Sequence, residues 1–202
     1  KESDILGGVD PYSASKASAE ILFHSYYKNF IEQKNRNLRV VTARAGNVVG
    51  GGDWSADRLI PDCMRNWLIN KPVNIRNPNS TRPWQHVLEA LYGYLMLAEK
   101  LHQSNYINGQ SFNFSSDKIK NITVINFLKK IKKYWSEIEW KIIKSKKFYE
   151  SGLLQLNNNK AKKILNWSAQ LKIDETVFYL VEWYLNYKKE RENIFIVSRN
   201  QI

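Results

Sequence analysis

The 202 residues suffice for one domain with a sizeable core, or a domain carrying a smaller lobe, and 43% hydrophobic with 13% aromatic residues is the content of a globular chain. No run of about 18 apolar residues occurs, so no membrane-spanning helix is expected, and one cysteine, Cys63, excludes an internal disulfide or a cysteine-rich metal site. The net charge of +12 suits nucleic acid, an anionic surface or an anionic substrate, and where the lysines lie bears on the choice.

Those lysines gather over Lys129 to Lys147 and Lys160 to Lys189, with apolar residues recurring between them at helical spacing. They read as solvated helix faces, so neither nucleic acid nor a membrane is an expected partner. The three histidines, His24, His86 and His102, form no ligand motif, so no metal is expected. The first residues are charged and carry no apolar signal core, which points to the cytoplasm.

In chain order, residues 1–10 read as a loop closing on Gly7-Gly8. Asp10 is placed to cap a helix and Pro11 to occupy its first turn. The helix runs to about Gln33, with Ile21, Leu22, Tyr26 and Phe30 supplying much of its apolar stripe. Tyr12 and Lys16 stand four residues apart near its start, so phenol and ammonium share one face. A free tyrosine titrates near ~10 and is a poor base at neutral pH. A lysine cation within about 4–6 Å favours the phenolate, which then suits an alcohol becoming a ketone. The same spacing is also that of an exposed surface pair, and taken alone it leaves both readings open.

Asn35-Arg36-Asn37 reads as a turn and Leu38 to Ala43 as a buried parallel strand, followed by a loop from Arg44 to Trp54. In doubly wound sheets ligands sit at the carboxyl ends of strands, which is where this loop leaves. Its glycines, Gly50 to Gly52, let backbone approach a bound group. A helix is expected from about Ile60 to Asn70, a strand over Pro72–Arg76, a turn at Asn77–Ser80 and a periodic helix over Val87–Lys100 with Leu88, Leu91, Tyr92, Leu95 and Ala98. Gln110–Phe114 reads as the last sheet strand, Asn121–Trp135 as an amphipathic helix capped near Asn121 or Thr123, and Glu139–Ile143 as a short strand. A last helix over Ile173–Glu192 buries Val177, Leu180, Val181, Trp183 and Tyr184.

Three blocks together carry a family resemblance: Leu6-Gly7-Gly8-Val9-Asp10-Pro11-Tyr12-Ser13-Ala14-Ser15-Lys16, Arg44-Ala45-Gly46-Asn47-Val48-Val49-Gly50-Gly51-Gly52-Asp53-Trp54, and Arg82-Pro83-Trp84-Gln85-His86-Val87. The first resembles the catalytic helix entry of the extended short-chain dehydrogenase/reductases, and the other two are similar to the CDP-glucose 4,6-dehydratase branch of the NAD-dependent sugar-nucleotide epimerases and dehydratases. A fourth segment, Asn159-Lys160-Ala161 to Leu165-Asn166-Trp167, departs from the family's Ser-Lys-Ala and Leu-Gly-Trp by placing Asn where Ser and Gly usually occur. Ser115-Ser116 likewise stands where many members carry Gly-Pro.

The resemblance implies an α/β fold, the C-terminal part of a Rossmann-like doubly wound parallel sheet with a smaller α/β substrate-binding lobe. It implies four segments: 1–50, the remainder of the NAD-binding domain with the catalytic helix; 51–85, substrate-binding; 86–116, the returning helix and strand; and 117–202, the C-terminal lobe. Tyr12 becomes the proton acceptor. Lys16 assists it and bonds the cofactor ribose, and the Arg44 backbone lies near the nicotinamide. Asn47, Arg58, Leu59 and Arg82 become contacts to the nucleotide-sugar, with Arg82 gripping the diphosphate in the bidentate way that lysine cannot. His86 reads as a buried, hydrogen-bonded histidine. The implied reaction is oxidation at C4, loss of water across C5–C6 and return of hydride at C6, with NAD as cofactor and a homodimer as the assembly.

No Gly-x-Gly-x-x-Gly follows a strand in this sequence, so it is expected to be the C-terminal part of a longer enzyme. Three rival readings stand beside the dehydratase. An epimerase of the same fold is opposed by the Gly-Gly-Gly-Asp-Trp and Arg-Pro-Trp-Gln-His blocks. A basic binding module predicts salt-sensitive nucleic-acid binding and indifference to Tyr12→Phe. An inactive remnant predicts a poorly folded chain with an exposed sheet edge.

Overall fold

The computed structural model describes residues 1–33, 37–116, 122–143 and 155–202, the side chain of Arg191 excepted. Most of the expected turn at Asn35-Arg36 and the Asn121 cap lie outside them. The architecture is α/β, with parallel β1–β6, β2–β5 and β3–β8 ladders and one antiparallel pair, β4–β7. Their ranges are β1 Thr42–Ala45, β2 Asn47–Val49, β3 Val73–Ile75, β4 Thr81–Arg82, β5 Trp84–His86, β6 Ser111–Phe114, β7 Ile122–Thr123 and β8 Trp140–Ile142. The helices are α1 Pro11–Tyr26, α2 Leu59–Leu68, α3 Val87–Gln103, α4 Val124–Tyr134, α5 Asn159–Leu165, α6 Ile173–Lys189 and α7 Ile194–Gln201.

The chain divides into two compact units. The first is Lys1–Ala45, Leu91–Phe114 and Leu156–Ser168; the second is Gly46–Ala90, Ser115–Gln155 and Ala169–Ile202.

In the first unit Asp10 caps α1, its carboxylate accepting from the Tyr12 and Ser13 amides at 2.9 and 3.0 Å, and Ser13 completes a capping box. Two expectations shift here. The α-helix ends at Tyr26 and passes into a π-helical turn over Tyr27–Ile31. The expected stripe of Ile21, Leu22, Tyr26 and Phe30 is exposed, while Ala17, Tyr27 and Ile31 are buried. Polar contacts decide the inward side, because Glu20 and His24 reach side chains of β1 and β6. The first strand also moves, to Thr42–Ala45 rather than Leu38–Ala43. Val40 instead bonds the turn before β6, its N–H donating to Asn108 Oδ1 at 2.8 Å and its carbonyl accepting from Gly109 at 2.7 Å. Gly109 adopts φ +76°, and Tyr27 lies so close that a Cβ would sit 2.2 Å from its ring. The part of α3 in this unit turns Gly93 and Leu97 inward and leaves Leu91, Tyr92 and Leu95 exposed. Asn166 ends α5 at φ 56°, the left-handed position that favours Gly and tolerates Asn, which accounts for the departure there.

The second unit holds the larger core. Met64 and Trp67 of α2, Phe127, Leu128 and Ile131 of α4, and Leu180, Val181 and Tyr184 of α6 pack with Val49, Ile75 and Trp84. Thr123 caps α4, accepting from the Asn126 amide. The expected loop from Arg44 to Trp54 is partly strand, since β2 pairs with β5 in register Asn47↔Trp84 to Val49↔His86. A partner distant in sequence supplies those ladder bonds, so local pattern did not show them. Helix α7 is a further addition: α6 stops at Lys189, and α7 packs back with Ser198 Oγ accepting from the Trp183 indole N–H at 2.8 Å.

Candidate active site

In the first unit Tyr12 and Lys16 stand one turn apart on α1, with the Lys16 ammonium 5.6 Å from the centre of the Tyr12 ring. Both are exposed, Tyr12 by 68%, so no described part of this unit encloses the phenol. One turn further, Glu20 takes a bidentate pair of bonds from Arg44 of β1, at 2.5 Å from Nε and 2.6 Å from Nη2. Thr42 and Ser111 hydroxyls donate to the same carboxylate at 3.4 and 3.3 Å. The Arg44 guanidinium, seconded by those hydroxyls, holds the Glu20 carboxyl below its ordinary range, and Glu20 in turn raises Arg44. The Arg44 side chain is thus committed to α1, while its backbone lies in the β1–β6 ladder opposite Asn113.

The other four predicted residues belong to the second unit. Asn47 opens β2 opposite Trp84, and Arg82 stands two residues before Trp84, so both sit at one end of the β2–β5 pair. Pro83 packs against Gly46, where a Cβ would meet its carbonyl oxygen at 2.6 Å. Arg82 donates from Nη1 to the Thr81 carbonyl at 2.8 Å. Arg58 and Leu59 instead begin α2, as N-cap and first residue. The Arg58 guanidinium is 63% exposed and loosely paired with Asp53 at 3.7 Å. Asp62 pairs with Arg65.

The loop between β2 and α2 is tied to α6. Tyr184 donates its hydroxyl to the Asp53 carbonyl at 2.8 Å, and Arg65 donates to the carbonyls of Trp54 and Ser55. The Trp183 indole lies flat enough on Gly51 that a Cβ there would fall 2.0–2.3 Å from its ring carbons. Trp54 packs against Trp183, Tyr184 and Tyr187.

Comparison with known proteins places these residues in a family. The sequence profile of the GDP-mannose 4,6 dehydratase family matches residues 1–179. The chain belongs to that family. It is 35% identical to the CDP-glucose 4,6-dehydratase of Salmonella typhimurium over 206 residues, an alignment covering 100% of this chain and 57% of that protein. Among solved structures it is similar to a UDP-glucuronic acid 4-epimerase from Bacillus cereus (TM-score 0.78, 20% identity, 92% of this chain and 56% of that one). It is also similar to the dTDP-glucose 4,6-dehydratase of Bacillus anthracis (TM-score 0.74, 23% identity, 95% of this chain and 56% of that one). These two likenesses establish the shared Rossmann-like fold. The chain spans a little over half the length of each of these proteins.

Within this member of the dehydratase family, sequence reasoning missed three residues. Glu20 was visible as the third of Tyr12, Lys16, Glu20 and His24, each four residues after the last. Tyr184 was read as core and also holds the loop. Glu89, buried in α3, accepts the Gln170 and Leu171 amides at 2.7 and 2.6 Å ahead of α6, a long-range contact with no local signal. Among the described residues no cluster of His, Cys, Asp and Glu could hold a metal ion, and no helix is long and apolar enough to cross a membrane.

His86 is buried as expected, its Nδ1 accepting the Leu88 amide at 3.4 Å and its Nε2 without a hydrogen-bond partner among the described residues. Burial pushes its pKa down to about 4. An unfolded chain protonates this ring near ~6.5. Between those values the unfolded state therefore binds a proton that the folded state refuses. The stabilisation is full above about 6.5 and is lost as pH falls toward 4, by at most about 3 kcal/mol. Urea unfolding at pH 7 and pH 4.5 should show the drop, and His86→Phe should flatten that part of the profile.

Proposed function

We propose that the protein dehydrates CDP-glucose to CDP-4-keto-6-deoxyglucose with NAD as cofactor, an early step in deoxysugar synthesis for surface polysaccharide. The observation that carries this reading is the 35% identity, along the whole of this chain and 57% of the relative, to a CDP-glucose 4,6-dehydratase, with Tyr12 and Lys16 stacked one turn apart at the start of α1. In this reading Tyr12 accepts the proton of the sugar's C4 hydroxyl, and the Lys16 ammonium stands beside it on the same helix face. NAD, when bound, supplies a hydride acceptor. The residues present fit one end of it: Lys16 is an exposed three-proton donor suited to ribose hydroxyls, and the Arg44 backbone lies toward the carboxyl end of β1. No glycine-rich phosphate turn occurs in the sequence to fit the other end.

Asn47, Arg58, Leu59 and Arg82 hold the nucleotide-sugar, the two guanidiniums matched to its diphosphate oxygens. Oxidation at C4 acidifies the C5 proton, so water can leave across C5–C6. The motifs assign no residue of this chain to that elimination. The reading includes a cytoplasmic homodimer, supported by the exposed apolar residues Leu91, Tyr92 and Leu95 of α3, and light scattering measures the assembly.

The test is incubation of the intact gene product with CDP-glucose and NAD, followed by chromatography and the alkaline absorbance of a 4-keto sugar. Formation of the 4-keto-6-deoxy product is the expected result. Conversion to the C4 epimer instead would move the protein among the epimerases. No turnover, with salt-sensitive binding to nucleic acid, would favour a basic binding module.

A further inference from the structure

Arg44 was expected near a cofactor through its backbone, yet its side chain makes the tightest charged contact on α1. Tyr12, Lys16, Glu20 and His24 follow one another at four-residue steps, each turned by about 40° around the helix axis. The first two form the proposed proton-handling face. The third and fourth are the points at which the same helix is fastened to the sheet. Glu20 accepts both arms of the Arg44 fork at 2.5 and 2.6 Å, and the two side chains are only 16% and 20% exposed. Thr42 and Ser111 add hydroxyl donors at 3.4 and 3.3 Å, and the Ser111 hydroxyl lies 3.4 Å from His24 Nε2. These contacts reach two residues of β1 and one of its partner β6, so they resist rotation of the helix as well as displacement.

We infer that Glu20 and Arg44 are positioning residues whose fork-to-carboxylate pair fixes the rotation of α1 and so aims Tyr12 and Lys16. The inference rests on the dehydratase reading and adds a role that none of the motifs assigned to Glu20. A planar guanidinium meeting a carboxylate with two parallel bonds defines an orientation, whereas a lysine in its place would supply charge without direction. The exposed apolar side of α1 cannot serve that purpose, since Ile21, Leu22 and Tyr26 are each more than half exposed. A small error in the direction of a catalytic group costs rate far more than it costs substrate binding.

The experiment compares Glu20→Gln, Arg44→Lys and the reversed pair Glu20→Arg with Arg44→Glu in the intact gene product. It reads kcat, KM for CDP-glucose, and hydrogen exchange over residues 11–26. Expected in Glu20→Gln are a kcat about 10- to 100-fold lower and KM within about twofold, because the substrate contacts proposed above belong to the second unit. Arg44→Lys should show the same pattern in milder form, and the reversed pair should recover part of the rate. If Glu20→Gln fails to fold, Arg44→Lys carries the test alone. A KM that rises in step with the fall in kcat, or a rate lost only in proportion to loosened exchange, would overturn the positioning role and leave the pair as a brace. A wild-type protein that turns over no nucleotide-sugar sinks the dehydratase reading instead, and is told apart by the wild-type assay.

Discussion

Tyr12→Phe lowers turnover of the nucleotide-sugar by about 10²- to 10⁴-fold and leaves the melting temperature close to that of the wild type. The phenol is 68% exposed, so removing its oxygen empties no cavity and strands no buried partner. The backbone is held independently, by the Asp10 and Ser13 capping box and by Pro11 in the first turn. What disappears is the group proposed to accept the proton of the sugar's C4 hydroxyl. Product formation followed by alkaline absorbance, together with a thermal melt of the same sample, checks both halves. Retention of more than about a tenth of the wild-type rate would remove Tyr12 from the chemistry.

Trp84→Ala destabilises the protein by about 3–5 kcal/mol. Trp84 is 4% exposed, stacks on Phe127 with ring centres 4.5 Å apart and planes 19° from parallel, and opposes Asn47 in the β2–β5 ladder. Its loss leaves a cavity at the junction of β5 and α4 within the second unit. Trp84→Phe costs far less, because the indole N–H is buried without a hydrogen-bond partner among the described residues and the phenyl ring keeps the stack. Urea titration of the two variants measures the difference. In a double-mutant cycle with Phe127→Ala the losses should fall short of additive, since the rings share one contact. Because Asn47 opposes Trp84 in the β2–β5 ladder and Arg82 of β4 lies two residues before it, the alanine variant should also weaken CDP-glucose binding at these proposed contacts, and calorimetry reads that directly.

How much could be read beforehand differed by element, for physical reasons. The start of α1 was legible to the residue, because Asp10, Pro11 and Ser13 form a cap that depends only on neighbours in the chain. Helix α4 and the buried face of α6 were legible as well, since their apolar residues recur at helical spacing. Helix α1 misled. Its apolar residues look like a stripe for the core, but an ion pair to Arg44 and hydroxyl bonds to β1 and β6 turn a polar side inward. Strand β2 was taken for loop because its three residues become strand only through β5, some 37 positions on from Asn47 to Trp84.

The candidate site divides in the same way. The residue types at Tyr12, Lys16, Asn47, Arg58 and Arg82, their order and their spacing were set by the sequence, which therefore determined the family and the class of chemistry proposed. Which charges pair was settled by tertiary structure alone. Arg58 faces Asp53, Arg44 holds Glu20, and Tyr184 reaches back to the Asp53 carbonyl. A hydrogen bond between residues 24 or 131 positions apart leaves no periodic trace in either segment. Chain order prescribes what each helix and strand carries, and only packing decides which of those groups meet.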